Sequence, residues 1–253
     1  MIVVFAAMGV EVRACLGALS GARETTMAGF PAIESEGVIV CQTGLGRRAH
    51  EAASAILPQV RARAVFSVGT AGGLAPDIEV GDIVFCDRVV HAIEPGAVSG
   101  HFGLIDGAIE SARANGMAHR TGTSVTVDTV AWTAEEKTLL RNKGAPDVVE
   151  MESFWIGRAA AEKDMPFLAV RAVSDDASNK LVDIPGVLDE HGNVNAARVL
   201  AYTRDHPEVI PLLAQQHERG GRALANLGAF LDVFLPFAGR LTGPGGAGGV
   251  TTQ

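Results

Sequence analysis

Between Val149 and Ser178 the chain reads VEMES, a helical segment, and then PFLAVRAVSDDAS. Val148 and Val149 lead into Met151 and Glu152, and the apolar run from Phe167 to Val173 leads into Ser174 and Asp175. Two short apolar runs joined by a helix form the repeating unit of an α/β sheet. Each run ends on a carboxylate. An acid at the end of a buried strand either caps a helix or takes part in chemistry, and open α/β sheets hold their ligands at strand ends. Two such acids in one unit point to a site.

The same alternation runs along most of the chain. Strands are expected at 1–7, 37–43, 62–68, 82–92, 119–127, 147–151 and 166–174. Helices are expected at 9–20, 47–58, 104–115, 134–142 and 152–163, and two more at 195–204 and 207–235. The first helix would bury Val10, Ala14, Cys15 and Leu19 on one face. Thr133, with Glu135 and Glu136 in the first turn, opens the helix at 134. The polar loop 178–193 is longer than an ordinary connection and is a candidate lid or substrate loop. The glycine-rich tail, GPGGAGGVTTQ at its end, has no periodicity and is expected to be disordered from 241 onwards. There is no internal repeat and no linker in mid-chain, so 1–240 reads as a single domain.

Composition narrows the function classes. Hydrophobic residues make up 47% of the chain but aromatics only 5%, so the core is built of Ala, Val, Leu and Ile. The net charge is −8 with scattered Arg and Lys, which argues against nucleic acid or polyanionic partners. Cys15, Cys41 and Cys86 lack metal-ligand or CxxC spacing and read as buried thiols in a reducing compartment. Neither a metal nor a cofactor is expected. The apolar start MIVVFAAMG lacks a basic flank and reads as a first strand. The run at 223–239 is broken by Asn226, Asp232 and Pro236, too short and polar to span a bilayer. A cytoplasmic protein is expected.

Two glycine segments invite a ligand. GTAGG at 69–73 follows a buried strand and reads as a tight turn with free N–H groups suited to an anion, or simply as a sharp strand exit. TGLGRRA at 43–49 carries half of a dinucleotide fingerprint, but the acid due about twenty residues later is missing. Glu11, just past the first strand, is a third acid of interest. Taken singly, Glu11 and Glu152 are ordinary first-turn helix acids, and Asp175 is an ordinary turn cap. All three stand at strand ends, as the glycine segment does, and their company is what gives them weight.

At this point the text matches a family. The segments are A-M-x-x-E-V at 7–12, T-G-L-G at 43–46, V-G-T-A-G-G-L-A-P at 68–76, V-G-D-I-V at 80–84, V-E-M-E at 149–152 and P-F-L-A-V-R-A-V-S-D at 166–175. In this order they resemble the nucleoside phosphorylase and nucleosidase superfamily, and within it the methylthioadenosine/S-adenosylhomocysteine nucleosidases. The resemblance implies a three-layer α/β/α sandwich with a mixed central sheet, cleavage of a purine N-ribosidic bond, and a homo-oligomer, most simply a dimer. It implies that Asp175, with Ser174 beside it, protonates the departing base, and that Glu11 aligns the attacking water near Thr70. Glu152 would bind ribose hydroxyls with Met151 packed on the sugar. Glu150, Gly72, Val125 and Thr126 would complete the substrate-binding set. These roles suit a poor leaving group and an oxocarbenium-like sugar.

Phosphorylases of this superfamily place an arginine where Ser67 stands here, two residues before the glycine segment. The resemblance therefore implies water rather than phosphate as co-substrate, with Arg13, Arg47 and Arg48 as possible substitutes for the missing cation. Phosphorolysis remains the alternative. A catalytically silent nucleoside-binding protein is the alternative of another class. The strand 121–127 lacks the aromatic residue that usually stacks on adenine. The C-terminal part is similar to the hopanoid-associated members, whose substrates are adenosylated triterpene lipids, and the apolar stripe Leu227, Phe230, Leu231, Phe234 and Leu235 would then line a lipid channel, unless it is core or interface.

Overall fold

The computed structural model describes residues 1–184, 186–189 and 194–241, with the side chains of 239–241 left aside. The tail expected to be disordered lies almost wholly outside the described residues, as does part of the loop 178–193. Ten strands form one mixed sheet: β1 Ile2–Ala6, β2 Arg23–Met27, β3 Phe30–Ser35, β4 Val38–Gln42, β5 Ala64–Gly73, β6 Ile83–His91, β7 Ala97–Ser99, β8 His119–Thr126, β9 Val148–Glu150 and β10 Phe167–Asp175. The helices are α1 Gly9–Ala14, α2 Arg48–Ile56, α3 Phe102–Ala114, α4 Ala134–Asn142, α5 Ser153–Ala161, α6 Ala196–Asp205 and α7 Ile210–Leu241.

The sheet branches at β5. On one side it continues through β1, β4, β3 and β2; on the other, β5 pairs with both β9 and β10, and β9, β8, β6 and β10 close a five-strand ring. Period-2 alternation sorts the layers. In β1, Val3 and Phe5 join the core beneath α2 and α5, whereas Ile2, Val4 and Ala6 face α1, α3 and α7. Helices thus cover both faces of a mixed sheet, the α/β/α arrangement the resemblance implied. No helix among the described residues is long and apolar enough to cross a membrane.

The apolar stripe of α7 is core. Leu227, Phe230, Leu231, Phe234 and Leu235 are buried to within 1% against β1, β5, β6 and β10, and Phe234 meets Phe66 edge to face at 5.5 Å. The expected lipid channel along this stripe is therefore not there, because the same side chains are consumed in covering the sheet. Phe234→Ala should cost about 3–5 kcal/mol of stability, measurable as a lowered urea midpoint. A loss below 1 kcal/mol would show that α7 contributes little to the core.

Three expectations need correction. The helix expected at 9–20 ends at Ala14 and continues as a 3-10 turn over Leu16–Ala18. Its inward residues are Glu11, Val12, Cys15 and Leu19, while Val10 is exposed. The segment 69–73 does not turn at all: β5 runs on through Gly73, paired with β10 from Gly69 to Gly72 and with β9 at Gly72 and Gly73. Glycine is required here by crowding, since a Cβ on Gly69 would lie 2.3 Å from Arg171 Nη1 and 2.6 Å from Glu11 Oε1. Finally, the hairpin β2–β3 and the short β7 stand where no strand was expected. The hairpin turns at Ala28 and Gly29, both with positive φ, in the manner of a two-residue hairpin turn.

Candidate active site

The three acids meet in one cavity of about 180 Å³ at the end of the ring. Glu11, Thr70, Gly72, Glu150, Met151, Glu152, Ser174 and Asp175 all line it. Leu45, Val127, Val130, Ala131, Leu181 and Leu188 form an apolar wall. The three acids arrive by different elements: Glu11 on α1, Glu152 with its neighbour Glu150 at the junction of β9 and α5, and Asp175 at the end of β10.

Glu11 is clasped by backbone. Its Oε2 accepts from the amides of Ala7 and Met8, each at 3.1 Å, and its Oε1 accepts from the Thr70 amide at 2.8 Å and the Thr70 hydroxyl at 3.3 Å. The amide of the glycine segment that was expected to greet an anion thus holds a protein carboxylate. Burial raises the Glu11 pKa against the pull of the Arg171 charge and these bonds, which makes it a stronger base than an exposed glutamate.

Glu152 accepts one bond at Oε1, 3.0 Å from the amide of Gly46. Here the Gly44-Leu45-Gly46 segment finds its use: a φ of +60° at Gly46 is part of the turn that carries this donor to the acid. Burial, and then the charge of Glu150, push Glu152 up to about 8, opposed by Arg171 and the Gly46 bond. It is the least satisfied acid of the site.

Glu150, by contrast, is saturated. Its Oε2 accepts from the amides of Glu152 at 2.9 Å and Ser153 at 2.7 Å, and from Arg171 Nη2 at 2.7 Å, while Oε1 bonds the Thr126 hydroxyl. Arg171 also reaches Ser67 and Ser153, both at 2.8 Å. Burial works against the Arg171 charge, but Glu150, Glu152 and Glu11 more than offset it. One guanidinium therefore faces three carboxyls, and the site as a whole favours positive charge arriving from a ligand.

Asp175 has Ser174 Oγ donating to Oδ1 at 2.7 Å, and its Oδ2 is bonded to Lys137 Nζ. Lys137 on α4 was not anticipated. A lysine inside AEEKTLL reads as a solvated helix face, yet it is 1% exposed. The available signal was its i, i+3 spacing to Leu140, which packs inward.

Two members of the expected substrate-binding set stand off the cavity wall. Val125 is in the apolar cluster with Leu74 and Val149, and Thr126 is spent on Glu150 and on the Phe154 amide, 3.1 Å away. Ser67 is fully buried under Arg171. No Arg or Lys is among the described residues lining the cavity. Arg47 pairs with Glu94 and lies over Trp155 at 4.4 Å, Arg48 lies over Phe30, and Arg13 is exposed.

This arrangement has relatives. A 5′-methylthioadenosine/S-adenosylhomocysteine nucleosidase of Shewanella pealeana is 28% identical over 228 residues, covering 78% of this chain and 96% of its own. The enzyme of the same name from Geobacillus kaustophilus is 28% identical over 200 residues, 70% of this chain and 85% of its own. Among solved structures, the nucleosidase from Neisseria meningitidis in complex with methylthio-immucillin-A superposes with a TM-score of 0.72 at 22% identity, covering 92% of this chain and 97% of that one. The native futalosine hydrolase of Helicobacter pylori gives 0.72 at 16% identity, with 93% and 97% covered. The Phosphorylase superfamily model matches residues 1–204, and this chain belongs to that superfamily.

Proposed function

We propose that this chain is a nucleosidase that hydrolyses the N-ribosidic bond of a 5′-substituted adenosine. The observation that carries the reading is the convergence of Glu11, Glu152 and Asp175 on one cavity with no Arg or Lys among the described residues that line it. Asp175 gives a proton to N7 of the base as the bond from C1′ to N9 breaks, and Ser174 orients its carboxyl. The sugar becomes cationic, and the under-neutralised carboxyls stabilise it, Glu152 through the ribose hydroxyls with Met151 against the ring. Glu11 and Thr70 position the water that forms the new bond at C1′, and Glu11 takes its proton. Val125 and Thr126 support this site by holding β8 and Glu150.

Hydrolysis fits better than phosphorolysis because a phosphate dianion would enter beside Glu11 with no arginine among the described lining residues to hold it. Release of adenine from methylthioadenosine is expected at the same rate with and without inorganic phosphate, with a free reducing sugar as product. Strict phosphate dependence, with a sugar 1-phosphate as product, would establish the phosphorylase alternative. Binding of the nucleoside without any release of base would establish the silent binding protein.

The apolar wall supports a 5′ substituent that is itself apolar, methylthio or larger. An adenosylated lipid like that of the hopanoid-associated members would have to use this wall and not α7. A homodimer in the cytoplasm completes the reading, built on residues 1–240 as one unit. The exposed Ile93 and Phe102 offer apolar surface to a second copy, and the three buried free thiols suit a reducing compartment.

A further inference from the structure

Lys137 has no place in the reaction as written, yet the fold spends effort on it. Leu139 of the same helix is 62% exposed, while the ammonium of Lys137 is turned inward. Besides Asp175 Oδ2, Nζ donates to the carbonyl oxygens of Asp176 at 2.6 Å and Asn179 at 3.4 Å. Three acceptors match the three N–H bonds of an ammonium. Taking that charge out of water is costly, and an alkyl side chain would fill the same space without the cost. The stem of the lysine lies against Gly72, where a Cβ would stand 3.6 Å from Lys137 Cε.

We propose that Lys137 is a positioning residue that keeps Asp175 supplied with the proton it delivers to the leaving base. The inference rests on the nucleosidase reading above. Asp175 and Lys137 share one transferable proton, so the acid is armed even where a lone carboxyl would be ionised. The ammonium gives its proton to the carboxylate at Oδ2, and the carboxyl so formed passes that same proton to N7. The electron pair of the broken bond goes to the base. The amine left on Lys137 regains a proton from solvent, to which Glu11 returns the one taken from water.

Glu11, Glu150 and Glu152 face the pair from the same cavity. Asp176, just past β10, is pushed up by burial, but bonds from Ser178 and the Lys137 charge hold it below the usual carboxylate range, so it stays anionic beside the ammonium. On α4 itself, Glu136 accepts from the amides of Trp132 and Thr133, and Arg141 is directed at Ala145, Pro146 and Asp147. Gly72 brings no charge from β5.

The test compares wild type with Lys137→Met and Lys137→Gln on two substrates. One is methylthioadenosine; the other is its analogue with p-nitrophenolate as leaving group, which departs without a proton. The rate ratio between adenine and nitrophenolate release should fall about tenfold or more in each variant, a fraction of what a general acid contributes. An ammonium ordinarily keeps its proton to much higher pH than a carboxyl, so the alkaline limb of kcat/KM for methylthioadenosine should also move to lower pH in the variants. Parallel loss on both substrates with an unmoved pH profile would reduce Lys137 to a structural tie and overturn the proposal. If the wild type cleaves methylthioadenosine alone, the pH profile decides. If the wild type cleaves neither substrate, the nucleosidase reading falls and takes this inference with it.

Discussion

Asp175→Asn is expected to slow adenine release by about 10²–10⁴-fold, the span a general acid contributes. Asparagine is isosteric and still accepts from Ser174, but its amide cannot give up a proton to the purine. It also leaves the Lys137 ammonium facing a dipole where it had a charge, so some loss of stability should accompany the loss of rate. Circular dichroism separates the two effects. Unimpaired turnover in a folded variant would remove Asp175 from the mechanism and leave the proton with another group.

Glu152→Gln should show a second, less usual pattern. Turnover is expected to fall about 10²–10³-fold, as when an electrostatic partner of the transition state is removed. Stability should move the other way. The folded Glu152 titrates at about 8, well above the ordinary carboxylate value. Its contribution to stability is therefore full below the ordinary range and is lost as pH rises towards about 8, because the unfolded chain gives up the proton first. The glutamine variant has no proton to lose. Its Tm should equal that of the wild type below about pH 4 and exceed it above pH 8. A variant equally or less stable than wild type at the alkaline end would mean that Glu152 is not strained by burial. That outcome would also weaken its assignment as the under-neutralised acid of the site.

Much of this was written in local sequence. Thr133 and Glu136 spell a capping box, and α4 begins where they place it. The acids at 11, 152 and 175 were legible because each follows an apolar run. What stayed hidden has physical causes. The turn at Ala28 and Gly29 lacks the Asn-Gly signature that announces a hairpin, the strand before it is polar and largely exposed, and the one after it is interrupted by Pro31. The glycine segment suggested a turn by local propensity, but pairing on both edges overrode it. Lys137 was invisible because burial of a lysine depends on partners 38 and more residues away. Thr126 and Val125 carried no local sign that they would face Glu150 and the core.

The branching of the sheet at β5 also has a bearing on how the enzyme comes into being. Glu152 meets Gly46 across 106 residues of chain, and Arg171 meets Ser67 across 104. Contacts of such separation each carry the loop-closure entropy of the intervening chain. A partly folded chain with α2, α4 and their neighbours already in place would still lack the ring that brings the acids together. On this topology the gathering of the acids belongs to the finished fold alone, and a nascent chain still emerging before β10 is synthesised does not yet hold the site.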